Sequence, residues 1–119
     1  DTGLTATIAA MRASSPSWLA DELTRSWSAF GDRLEAQLRQ AAAFVCPRMD
    51  EIAGLTAPLA ITASLDDPIH PLRVSHEWRA AAPRAAVAEL PLTRWGIDPP
   101  LLGTTTARTW AALWSDRSS

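Results

Sequence analysis

The sequence predicts a mixed α/β chain in two parts: an all-helical segment over residues 1–47, and two parallel strands with flanking helices over residues 48–119. Three observations predict it. Apolar residues recur at helical spacing through Leu19, Leu23 and Trp27 and again through Leu34, Leu38 and Ala42. Pro58–Leu65 is a short, nearly uninterrupted apolar run, which suits a strand buried on both faces. The strand, helix, strand pattern that starts there spans about 33 residues, the usual size of a parallel crossover unit.

The elements follow in order. Leu4–Arg12 reads as a short helix. Ser15-Pro16 reads as the next helix start, a capping hydroxyl followed by proline at the first helical position. Phe30 continues that helix's stripe and Gly31 interrupts it. Asp32 and Glu35 form an acidic variant of the capping box and restart a helix whose apolar face is Leu34, Leu38, Ala41, Ala42 and Val45. Pro47 stops it. After the first strand, helical pattern resumes beyond Pro71, with Val74, Trp78 and Ala81 on one face, and ends at Pro83. Ala85–Leu90 is the second strand. A final helix carries Ala107, Trp110, Ala111 and Trp114 on one stripe, with Thr104–Thr106 at its N-terminus. Two parallel strands alone make a poor sheet, so more chain or a partner is expected to complete it.

Composition narrows the function. The chain has 119 residues, 47% of them apolar, and six tryptophans, which sets it apart from a disordered tail. Its formal charge is −2, and it lacks the basic patch of a nucleic-acid binder. No stretch approaches the ~20 apolar residues of a membrane span. The expectation is a cytoplasmic protein with neither a nucleic-acid nor a membrane partner. The lone cysteine, Cys46, excludes an internal disulfide framework. It reads as a partly buried structural thiol, because no base stands beside it in sequence. Neither paired metal-ligand spacing nor a glycine-rich phosphate loop occurs, so no metal and no cofactor are expected.

The informative segment is Ser64–Pro71. An apolar strand runs into two adjacent carboxylates, Asp66 and Asp67, and then into a proline-bounded turn. In open α/β sheets, working groups sit just past the carboxyl ends of strands. Two neighbouring aspartates repel, so one of them needs a partner for its charge.

This region resembles the α/β-hydrolase family. The resemblance is carried by Ala57-Pro58-Leu-Ala-Ile61, by Asp66-Asp67-Pro-Ile-His-Pro71, by a helix ending in Ala82-Pro83 and by Val87-Ala-Glu-Leu-Pro91, and it covers roughly residues 55–114. It implies the C-terminal part of an α/β-hydrolase fold, with residues 1–47 as a cap-like segment. It also implies that Asp67 is the acid of a Ser-His-Asp triad, holding a histidine during hydrolysis of an ester, amide or related bond in a small-molecule substrate. Asp66 reads instead as a cap of the following turn or helix.

The family's nucleophile motif, G-x-S-x-G, does not occur in the sequence. It would precede these residues in chain order, so the chain reads as a fragment that is inactive in isolation. The family's histidine would follow Pro91, where Trp95 takes the aligned place, and tryptophan cannot carry a proton at neutral pH. Either the protein is a non-catalytic relative, acting as a binding or partner subunit, or the base comes from elsewhere. His70 reads as a residue at the start of a turn that bonds to the backbone, and His76 as solvent-exposed. Trp18 and Trp27 could line a substrate pocket if the helices form a cap, although packing is the default role of such residues.

Overall fold

The computed structural model describes residues 2–116, which divide into two compact units between Cys46 and Pro47. The first unit is helical. Helix α1 (Thr2–Ser14) packs against α2 (Ser17–Phe30), a short 3₁₀ turn follows over Gly31–Arg33, and α3 (Leu34–Ala42) completes the unit. The second unit runs α4 (Met49–Ala53), β1 (Leu59–Ser64), α5 (Leu72–Ala81), β2 (Ala85–Leu90), α6 (Leu92–Ile97) and α7 (Pro100–Ser115). No described helix is long and apolar enough to cross a membrane.

In the helical unit, Met11 and Ala20 are buried between α1 and α2. Alanine at position 20 lets the two backbones approach. Arg12 ties the pair together, donating to Thr24 Oγ1 at 3.0 Å and pairing with Asp21 at 2.9 Å. The two expected helix starts differ from expectation. The second helix begins at Ser17 with Pro16 in the cap position, and no side chain caps it. The Asp32–Glu35 capping box does not form either: Arg33, the residue that leads into α3, is already in helical conformation, and no side chain caps the helix.

Gly31 does break the stripe. Its φ of 54° with ψ of −129° lies in a region open essentially to glycine alone. Of the apolar face expected on α3, only Leu34 is buried. The helix ends at Ala42, five residues before Pro47, and Phe44 and Val45 lie exposed beyond it. Cys46, expected to be partly buried, shares that exposed stretch and is itself exposed.

The second unit is built on a two-stranded parallel sheet with Leu59 opposite Ala85 and Ser64 opposite Leu90. The ladder is extended by the Leu59 amide donating to the Arg84 carbonyl at 2.8 Å and the Leu65 amide donating to the Leu90 carbonyl at 3.0 Å. Strand residues alternate between faces, and two side-chain contacts identify which face is which. Thr62 meets Thr106 of α7 at 2.7 Å, while Glu89 meets His76 of α5 at 2.9 Å. Ala60, Thr62, Ser64, Ala86, Ala88 and Leu90 therefore face α7. Ile61, Ala63, Val87 and Glu89 face α5. The sheet is sandwiched between these two helices, as a βαβα chain requires of a parallel sheet. Each strand pairs with a single neighbour, so among the described residues the outer margin of each carries no ladder.

Helix α7 presents a different face from the one the apolar periodicity selects, whereas α5 keeps two of the three residues expected on its inner face. In α7, Leu102, Thr105, Thr106, Thr109 and Leu113 are half-buried, whereas Trp110 and Trp114 lie on the exposed side, edge to face with ring centroids 5.5 Å apart. The cause is the opposing surface. Ala60, Thr62, Ala86 and Ala88 are small, and threonine-sized side chains let the helix come close where indoles would hold it off. Thr105 and Thr106 accordingly lie inside α7 and not at its N-terminus, and the Thr106 hydroxyl donates to the Leu102 carbonyl at 2.8 Å. In α5, Trp78 and Ala81 are half-buried as expected, Leu72 and Ser75 share that side, and Val74 is the one member of the expected face that is exposed.

Candidate functional site

The carboxyl ends of β1 and β2 come together, and the residues that follow each strand are locked to one another. Asp66, two residues past β1, accepts a hydrogen bond from the Leu92 amide at its Oδ1. Leu92 is the first residue of α6, so Asp66 caps a helix, but one that lies 26 residues further along the chain and not the next one. It thereby joins the two strand ends and satisfies one orphan donor of α6.

Asp67 faces a different set of donors. Its Oδ1 accepts from the Ile69 amide at 2.8 Å and from the His70 amide at 3.2 Å, and its Oδ2 meets Nδ1 of the His70 ring at 2.8 Å. Pro68 lacks an amide hydrogen, so the turn presents the next two amides to the carboxylate in its place. Partial burial pushes the Asp67 carboxyl up. The bonds from the His70 ring and from the two amides outweigh that and hold it below the usual carboxylate range.

The exposure of the pair is unequal: the Asp67 side chain is 14% exposed and the His70 side chain 82%. The carboxylate is thus pinned by two backbone donors and shielded, while the imidazole it holds projects outward. The sequence suggests a backbone role for His70. The structure gives its amide that role, and gives its ring to Asp67. The signal available in the sequence is the Asp-Pro-x-His spacing, since a prolyl turn folds position i+3 back onto the aspartate.

His76 is half-exposed and bonded through Nε2 to Glu89, a clasp between α5 and β2 and not a free surface group. Trp95 lies within α6 and is half-buried. The residues that follow Pro91, Leu92–Ile97, thus form a short helix. Trp18 and Trp27 are half-buried on α2. A cavity of about 530 Å³ in the helical unit is lined by Leu4, Thr7, Gly31, Leu34 and Leu38 among others, and neither tryptophan belongs to its wall. Among the described residues, no group of three or more His, Cys, Asp or Glu side chains could hold a metal ion.

Fold and site together define a mixed α/β unit with a carboxylate–imidazole pair at the carboxyl end of a parallel strand. No protein-family model, no curated protein and no solved structure matches the chain.

Proposed function

We propose that these residues are the C-terminal part of an α/β-hydrolase-like protein, in whose complete form Asp67 is the acid of a Ser-His-Asp triad that hydrolyses an ester, amide or related bond. The observation that carries this reading is the placement of Asp67. It is a shielded, ionised carboxylate directly past a parallel strand and bonded to Nδ1 of an imidazole, which is how a triad acid orients its base and stabilises the imidazolium. The nucleophile and its oxyanion hole belong to residues outside these 119, since no G-x-S-x-G is present among them.

The test is hydrolysis of a p-nitrophenyl ester by the protein translated from its full coding frame. Turnover is expected, with a serine outside this segment labelled by a fluorophosphonate. Asp67→Asn is expected to lower kcat about 10⁴-fold, and the 119-residue chain alone is expected to be inert. A coding frame that supplies no such serine, or full activity of Asp67→Asn, would overturn the reading.

A second reading is a non-catalytic relative that serves as a binding or partner subunit. The observation that favours it is Trp95, half-buried in α6 where the family's base would stand. It predicts that wild type and Asp67→Ala share one background rate.

A further inference from the structure

We propose that His70 is the proton-carrying base of this site and that it takes the place of the histidine absent after β2; the proposal rests on the hydrolase reading of Asp67. The argument is the geometry of the ring. A neutral imidazole carries one N–H and one lone pair. A carboxylate has no hydrogen to give, so the nitrogen at 2.8 Å from Asp67 Oδ2 must be the donor, and that nitrogen is Nδ1. The lone pair is thereby fixed on Nε2, the nitrogen at the far side of the ring, on a side chain that is 82% exposed. The ring's holder is itself immobilised, because the Ile69 and His70 amides occupy Oδ1 and leave the carboxylate no free rotation.

The other histidine serves as an internal contrast. His76 spends its Nε2 on Glu89, so its remaining nitrogen lies on the side next to its own main chain. Only His70 presents the outer nitrogen. It does so past the end of β1, where open α/β sheets place their working groups. Leu65, in the turn just past β1, and Ile69, in the bend that carries His70, are exposed apolar side chains on either side of Asp67 in sequence.

The chemistry balances with one further group, a serine hydroxyl from outside these residues. Nε2 takes the hydroxyl proton as the oxygen bonds to the carbonyl carbon of an ester, and the carbonyl π pair moves to its oxygen. Collapse of that oxyanion expels the alkoxide, which receives the proton from Nε2. Water then repeats both steps and releases the acid. At the imidazolium stage the ring carries a positive charge 2.8 Å from Asp67 Oδ2. Asp67 acts here as a positioning residue, since it touches the base and not the substrate.

The experiment has two arms. In the ¹⁵N-labelled 119-residue chain at alkaline pH, long-range ¹H–¹⁵N correlation is expected to show His70 protonated on Nδ1 and bare on Nε2, a preference lost in Asp67→Asn. A dominant Nε2–H form would overturn the proposal. In the protein from the full coding frame, His70→Ala and His70→Gln are expected to lose on the order of 10²–10⁴ in kcat. Added imidazole is expected to restore part of the His70→Ala rate with a pH profile following the free imidazole, which a merely structural role would not produce. If Asp67→Asn is inactive while both His70 variants keep full activity, the base is elsewhere and the proposal falls while the hydrolase reading stands. If Asp67→Asn is fully active, both fall.

Discussion

Asp66→Ala isolates the bond that closes the two strand ends. The substitution removes the acceptor of the Leu92 amide, and Leu92 is only 6% exposed, so that amide has little access to replacement water. Leaving a buried donor unsatisfied costs about 1–3 kcal/mol, and loss of a helix cap typically costs ~1 kcal/mol. These are two descriptions of one bond and do not add. Asp66 itself is exposed, which favours the lower end of the range, about 1–1.5 kcal/mol. For a unit the size of Pro47–Ser119, each kcal/mol moves the thermal midpoint by about 4–8 °C. The expected drop is therefore roughly 4–12 °C by far-UV circular dichroism. Asp66→Asn, which keeps an acceptor oxygen, should recover most of it. Hydrogen exchange gives the local readout: the Leu92 amide should be protected in wild type and in Asp66→Asn and should exchange faster in Asp66→Ala. A midpoint within 2 °C of wild type together with unchanged Leu92 protection, the former far below the ~4 °C expected, would refute the reasoning.

Further substitutions probe the rest of the fold. Gly31→Ala meets no atom within 4 Å, yet φ of 54° with ψ of −129° forces strain, so a loss of about 1–3 kcal/mol in urea unfolding is expected from conformation alone. In the Thr62–Thr106 pair, Thr106 already donates to Leu102, so Thr62 must be the donor to Thr106. Thr106→Val should then cost about 1–2 kcal/mol by stranding that donor, and Thr62→Val/Thr106→Val should recover part of the loss in a double-mutant cycle. Arg84 donates to the Leu113 carbonyl and stacks 5.5 Å from the Trp114 ring, so Arg84→Met should cost about 1–2 kcal/mol and shift tryptophan fluorescence. Asp67 is held below its ordinary value of 3.8, so its contribution to stability is present above that pH and lost as pH falls below it. Asp67→Asn should accordingly flatten the pH dependence of unfolding below pH 4, measured against wild type.

Strand positions were the most legible part of the sequence. Two short apolar runs, one after Pro58 and one between Pro83 and Pro91, are too brief for a regular helix, and both appear as strands, Leu59–Ser64 and Ala85–Leu90. Helix faces were less legible. In α7 the tryptophan stripe and the Leu102–Thr106–Thr109–Leu113 stripe have the same period, and only the small residues on the opposing sheet face decide between them. Helices α4 and α6 are five and six residues long, too short for any period to register. At the site, the position of Asp67 followed from a strand end, but the partners of its neighbours did not. Asp66 reaches 26 residues ahead, which no local pattern encodes. His70 depended on a turn whose direction is set by Pro68 and by two amides.

The bare outer margin of β1 has a geometric consequence for the pair at its end. A strand laid parallel along that margin would lie about 4.8 Å away. Its own carboxyl terminus would then emerge beside the turn that carries His70. A hydroxyl delivered there would stand at the same end of the sheet as the imidazole. Under the proposed hydrolase reading, that margin is where a further strand is expected to lie.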